Sequence, residues 1–90
     1  MIALPQKTCK NGFPYTQICR GARSCIYEQR VGQKLIAFEV FIIQTRSERS
    51  ILGKIIQAKE KFPSNEDFGK TAWTYWTVEQ AMKKFNELEE

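Results

Sequence analysis

The chain has 90 residues, of which 42% are hydrophobic and 27% charged, and its 14 basic and 10 acidic side chains give a formal net charge of +4. This length predicts one small domain, and this composition excludes wholesale disorder. No apolar run approaches the roughly 18–20 residues of a membrane-spanning helix, and Met1–Pro5 lacks the basic and apolar regions of a secretory signal. A cytoplasmic protein without membrane contact is therefore expected.

The first segment of the chain is interrupted by turn-forming residues. Pro5, Asn11-Gly12 and Pro14 divide it, and Gly21 ends it. This pattern predicts an irregular N-terminal arm over residues 1–23, with a short strand around Phe13, Tyr15 and Ile18 as the alternative, followed by a single domain over residues 24–90.

The middle of the chain predicts a β-hairpin. The stretches Cys25–Val31 and Lys34–Thr45 are rich in β-branched and aromatic residues, and Gly32-Gln33 separates them. Glycine at the first central position favours a type II′ turn. The second strand is apolar on both faces, which is typical of a strand that is central in its sheet or covered by the N-terminal arm.

The segment Ser50–Lys61 fits two kinds of element. Its isoleucines can form a helical stripe, and Gln57–Lys61 contains good helix formers. Gly53 within it and its β-branched content favour a third strand instead, which we expect.

The C-terminal part predicts a short strand and a helix. Residues 71–76 alternate in the way a strand does, with Trp73 and Tyr75 on one face. Thr77 occupies an N-cap position, with Gln80 three residues later as in a capping box. The following apolar residues share one helical stripe, predicted to pack on the sheet: Val78, Ala81, Met82, Phe85 and Leu88.

Together these elements predict an α+β fold. We expect a three- to four-stranded, mainly antiparallel sheet with the C-terminal helix packed on one face, preceded by the irregular N-terminal arm.

No pattern of catalytic residues is present. The chain has no histidine, and it lacks the common nucleophile, phosphate-binding and zinc-protease motifs. The spacing of Cys9, Cys19 and Cys25 does not match a zinc site, so we expect no metal and no cofactor. The carboxylates of Glu66 and Asp67 could join Glu60 at a divalent ion, but loop residues that bond nearby backbone amides are the favoured interpretation.

Two surfaces are candidates for binding a macromolecule. Aromatic residues dominate protein interfaces, which predicts a protein-binding site formed by Phe68, Lys70, Trp73, Tyr75 and Trp76. Residues 1–54 carry a net charge of +6 and residues 55–90 a net charge of −2, which allows a nucleic-acid surface in the basic part. Its candidate residues are Arg20, Arg23, Arg30, Arg46 and Arg49.

One longer motif resembles a known group of proteins. The run from Phe62 to Trp73, which reads FPSNEDFGKTAW, follows Tyr27-Glu28 and the sequence AFEVF at residues 37–41. With the helix around Ala81 and Phe85, this pattern resembles small uncharacterised proteins of bacteriophages and mobile elements, notably in gut Bacteroidetes. That group carries no assigned activity, so the resemblance implies an origin and no catalytic residues.

A second resemblance is to the WGR domain, a sheet-and-helix module of DNA-repair enzymes. The strand-to-helix ending is similar, but Phe68-Gly69-Lys70 stands where that domain has Trp-Gly-Arg.

The sequence therefore predicts a small non-enzymatic binding module that contacts a protein as an adaptor or inhibitor. The alternative is a nucleic-acid-associated accessory protein that uses the basic N-terminal half. An enzyme or metal protein is the least favoured class.

Overall fold

The computed structural model describes residues 1–90. The strands are β1 (Lys7–Lys10), β2 (Phe13–Arg20), β3 (Ser24–Val31), β4 (Lys34–Ile42), β5 (Gln44–Arg46), β6 (Arg49–Ile51), β7 (Lys54–Ile56), β8 (Lys59–Lys61) and β9 (Ala72–Tyr75). One α-helix, α1 (Val78–Glu89), ends the chain, and a short 3-10 turn spans Asn65–Asp67. The predicted α+β class is confirmed, since the helix packs on one face of an antiparallel sheet.

The main sheet has five strands in the order β1-β2-β3-β4-β9, one more than the upper expectation. Residues 1–23 are not an irregular arm, because β1 and β2 lie inside this stretch and pair antiparallel with each other and with β3. The reason is the Asn11-Gly12 pair. Both residues have positive φ, 55° and 82°, which is the type I′ turn that closes a two-residue hairpin.

The predicted hairpin between β3 and β4 is confirmed. Val31 faces Lys34 across a turn formed by Gly32-Gln33, where only Gly32 has a positive φ, of 60°. One positive φ at the first central position defines the expected type II′ turn. Strand β4 lies between β3 and β9, which agrees with its apolar residues on both faces.

Each face of the main sheet has its own core. On the face that α1 covers, Ile26, Phe38 and Val40 of the sheet pack with Ala81 and Phe85 of the helix. On the opposite face lie Leu4, Tyr15, Cys25, Tyr27, Phe41 and Ala72, with Phe62 and Phe68 packed against them. The expected burial of Ala81 and Phe85 is confirmed, Met82 and Leu88 are half-buried, and Val78 is 40% exposed. Val78 was predicted wrongly because the first turn of the helix extends past the edge of the apolar cluster.

The helix starts as predicted. The Thr77 hydroxyl accepts a hydrogen bond from the Gln80 backbone N–H at 3.3 Å. This satisfies one of the free amides of the first turn.

The segment 50–61 is extended and not helical, but it does not form a strand of the main sheet. It belongs to a long hairpin, residues 44–61, which we call the β-arm. Strands β5 and β8 form its stem, and β6 and β7 form its tip. The chain reverses at Leu52-Gly53, where φ is 51° and 78°, so a second type I′ turn splits what the sequence suggested as one strand.

Candidate partner-binding surface

Most of the predicted aromatic site is absorbed by the fold. Phe68 packs against the core on the face opposite α1, and Tyr75 packs against the core beneath α1. Trp73 is half-buried under the Lys84 ammonium, which lies 4.0 Å from the centre of the ring. Only Trp76, 71% exposed, and Lys70 remain open to solvent. Trp76 is thus the one exposed ring of this group, and Phe68, Trp73 and Tyr75 are half-buried.

The five predicted arginines do not form one basic surface. Arg20 is paired with Glu60, and Arg30 is paired with Glu28. Arg20 lies opposite Cys25 at the start of β3, whereas Arg30 lies five residues further along the same strand, a separation of about 17 Å at the rise of a β-strand. Arg23 donates to the backbone carbonyl of Glu90 at 2.8 Å. Arg46 and Arg49 are on the β-arm and form no ion pair.

The tip of the β-arm carries three exposed aliphatic side chains that lie close together in the sequence. Leu52 is 98% exposed, Ile55 is 72% exposed and Ile51 is 41% exposed. Scattered surface leucines are ordinary, but here three aliphatic side chains lie within one turn of a hairpin. Arg49 and Lys54 flank them and face Ile56 and Ile51 across the two strands.

Leu52 also has an unusual backbone conformation. It and Asn11 are the two non-glycine residues with positive φ, and both occupy the first central position of a type I′ turn. Asparagine is the residue that this position favours, whereas the left-handed conformation costs a branched residue such as leucine about 1–2 kcal/mol. The chain therefore places leucine where asparagine would fold better.

The base of the β-arm is fixed to the main sheet by charge. The Arg20 guanidinium donates to both carboxylate oxygens of Glu60 at 2.6 Å, and the Leu4 backbone N–H donates to the same carboxylate at 3.0 Å. These donors, and the guanidinium more than the backbone N–H, lower the pKa of Glu60 from 4.5 to about 2. The N-terminal segment adds backbone bonds, because Ile2 donates to Ala58 and accepts from Glu60.

Aromatic packing fixes the end of the stem. Phe62, which directly follows β8, lies edge-on to Tyr27 with ring centres 5.0 Å apart, and 5.9 Å from Phe41. The Lys10 ammonium covers the same ring at 5.3 Å. The stem is thus anchored at its base, while no hydrogen bond or ion pair joins the tip to the main sheet.

The titratable groups of the core are held in unreactive states. Burial raises the pKa of the Cys25 thiol to about 12, and burial also raises the pKa of Tyr27 to about 12. The Tyr15 hydroxyl donates a hydrogen bond to the buried Glu39 carboxylate at 2.6 Å. Burial is the main cause that raises the pKa of Tyr15, and this hydrogen bond raises it further. None of these groups is activated as a nucleophile, which needs a lowered pKa or an adjacent base.

The loop proposed as an alternative metal site has a structural role. The Asp67 carboxylate accepts the Ser64 backbone N–H at 2.9 Å, and Glu60 is held by Arg20. No group of three or more Cys, Asp or Glu side chains is arranged to hold a metal ion. Cys9 is exposed, Cys19 is half-buried and Cys25 is buried.

The β-arm was not predicted from the sequence, although two signals for it were present. Leu52-Gly53 stands between two short β-branched runs, and glycine at the second central position is a type I′ preference. The apolar tip is also bounded by basic residues on both strands.

Comparison of the chain with protein-family models, with curated proteins and with solved structures found no match. Helix α1 is neither long nor apolar enough to cross a membrane.

Proposed function

We propose that this protein is a non-enzymatic binding module that docks on a partner protein through the tip of the β-arm. In this proposal the Leu52 side chain, at the end of the hairpin, enters an apolar pocket on the partner. Ile51 and Ile55 lie on opposite faces of the hairpin and contact the two sides of that pocket. The observation that carries it is the 98% exposure of Leu52 at a backbone position that disfavours leucine. Strained and exposed residues are retained where they have a function.

The anchoring of the stem supports this role. A binding element that is already ordered loses less conformational entropy on association than a flexible loop does. The Arg20–Glu60 pair and the packing of Phe62 hold the stem in place before any partner arrives.

The charges beside the tip indicate the chemistry of the partner. Arg49 and Lys54 have no acidic counterpart within the protein. A pocket with an apolar floor and acidic residues at its rim would complement this tip, because opposite charges at an interface direct association and fix the register.

Site-specific photo-crosslinking tests the proposal. A photoreactive amino acid is placed at position 52, and for comparison at position 11, the tip of the matched type I′ turn between β1 and β2. In cells that produce the protein, position 52 is expected to yield a discrete protein adduct that position 11 does not yield. The absence of any adduct specific to position 52 would contradict the proposal.

A nucleic-acid accessory role is the second candidate, and one observation favours it. The β-arm carries five cations without an ion-pair partner, Arg46, Arg49, Lys54, Lys59 and Lys61. Its acidic residues are Glu48 and Glu60, and Glu60 is already paired with Arg20. A two-stranded ribbon of this kind fits the major groove of DNA. Binding of duplex or single-stranded oligonucleotides would support it if the logarithm of the affinity fell linearly with the logarithm of the salt concentration. The expected slope is about −0.7 to −0.9 for each phosphate contacted. The absence of binding at low salt would eliminate it.

The proposal includes the cytoplasm as the location and a phage or mobile element as the origin. The support for the first is the three free cysteines, since reduced thiols are the rule in the cytosol. The support for the second is the FPSNEDFGKTAW motif.

A further inference from the structure

A cavity lies between the N-terminal segment and the stem of the β-arm. It measures about 370 Å³, within the range of small-molecule sites, and Ile2–Pro5 form one wall while Lys59–Phe62 form the other. Arg46 of β5 closes it from the side of the stem. The apolar part of its surface comes from Ile2, Leu4 and Phe62.

The cations that line this cavity are not neutralised within the protein. Arg46, Lys59 and Lys61 all contribute to it, and none takes part in an ion pair. The one acidic group of the lining, Glu60, is already engaged by the Arg20 guanidinium and the Leu4 backbone N–H.

The register of the stem places two of these cations directly opposite each other. Arg46 is the cross-strand partner of Lys59, so their side chains share one face of the β5–β8 pair. Like charges at directly opposed positions destabilise a sheet. An anion between them would reverse the sign of this interaction.

We propose that this cavity is a binding site for a carboxylate or phosphate group carried on a small apolar moiety. Arg46 and Lys59 hold the anionic group, and the wall formed by Ile2, Leu4 and Phe62 receives the apolar part. A guanidinium offers two parallel donors to either oxyanion. The site is independent of the apolar tip, because no residue of the tip contributes to the cavity.

Chemical-shift mapping by NMR tests the site with hexanoate and phenyl phosphate as probes, and hexanol as the uncharged control. Both anions are expected to shift the backbone amides of residues 2–4 and 59–62, and hexanol is not. Arg46→Gln and Lys59→Gln should each weaken binding by about tenfold or more, as the loss of a charged hydrogen bond does. Lys34→Gln, at an exposed lysine in the β3–β4 hairpin, should leave it unchanged.

Thermal unfolding gives a second readout that separates binding from folding. Without an anion, Lys59→Gln should melt no lower than the natural protein, because it removes the opposed positive charge. Phenyl phosphate should raise the melting temperature of the natural protein, and it should raise that of the variant much less. Equal binding of hexanol and hexanoate, or equal binding by Arg46→Gln and the natural protein, would overturn the proposal.

A peptide pair identifies the source of the anion. The peptides are acetyl-Leu-Glu-Leu-amide and its uncharged control acetyl-Leu-Gln-Leu-amide. If the first binds more strongly than hexanoate and the control does not bind, the site takes an acidic side chain of a protein. Stronger binding of the free probes assigns it to a small molecule. Leu52→Asn should bind all probes normally, because no tip residue lines the cavity. Failure of the probes to bind would therefore contradict the anion site and leave the proposal for the β-arm untouched.

Discussion

The Arg20 guanidinium and the Glu60 carboxylate form two parallel hydrogen bonds of 2.6 Å between residues that are 40 positions apart. Arg20 ends β2 and Glu60 is the central residue of β8. The pair therefore joins the main sheet to the stem of the β-arm. Because the side chain of Glu60 is only 12% exposed, loss of Arg20 would leave a poorly hydrated carboxylate.

Glu60→Gln should destabilise the protein by about 1–3 kcal/mol at neutral pH, the range for hydrogen bonds to charged groups. Because the folded-state pKa of Glu60 is lowered to about 2, its contribution is fully present above the ordinary value near 4.5. That contribution is lost as the pH falls through about 2. The difference in urea midpoint between the natural protein and the variant should thus shrink between pH 5 and pH 2. Glu66→Gln, at an exposed carboxylate, should show no such difference.

The effects of substitutions at Gly21 and Glu89 on the stability of the protein should be strongly coupled. The Glu89 carboxylate accepts hydrogen bonds from the backbone N–H groups of Ala22, Arg23 and Ser24 and from the Ser24 hydroxyl. These hydrogen bonds, above all the one from the Ser24 hydroxyl, lower the pKa of Glu89. A Cβ at position 21 would clash with the Glu89 carboxylate. Gly21→Ala should therefore lower the melting temperature in the natural protein and much less in Glu89→Ala. Additive effects in this double-mutant cycle would show that the carboxylate does not occupy the loop.

Phe85→Ala should cost about 3–5 kcal/mol, as aromatic truncations in cores do. Phe85 is 8% exposed and anchors α1 on the sheet. Val78→Ala, in the same helix at a residue 40% exposed, should change the unfolding free energy by about 0.5 kcal/mol or less. Chemical denaturation of both variants measures the contrast, and similar losses would mean that the helix is not docked as described.

The parts of the fold that the sequence predicts are those with local signals. The cap at Thr77, the helical stripe through Phe85 and the turn at Gly32 each depend on neighbouring residues, and the structure confirms them. The sequence predicted only an arm or a short strand where β2 lies, because Pro14 counts against a strand. In the structure Pro14 pairs with Cys9.

The candidate surface was harder to predict because exposure depends on the whole fold. The Trp73 ring is covered by Lys84, and Arg20 is neutralised by a glutamate 40 residues away. Neither contact has a signature in the sequence. Leu52 carries no turn preference of its own, so the tip of the β-arm resembled a continuous strand.

Leu52→Asn should stabilise the protein. Asparagine adopts the left-handed conformation that leucine resists, so the gain is about 1 kcal/mol, or about 4–8 °C in melting temperature for a domain of this size. Asn11→Leu should produce a loss of similar size at the matched turn. A lower melting temperature for Leu52→Asn would show that the leucine contributes to folding rather than to a separate role.

The most direct test of the central claim is competition for the adduct formed at position 52. Excess natural protein should abolish the adduct, and so should excess Asn11→Leu, whereas excess Leu52→Asn should leave it intact despite being the more stable fold. Competition by Leu52→Asn as effective as that of the natural protein would contradict docking through the tip of the β-arm.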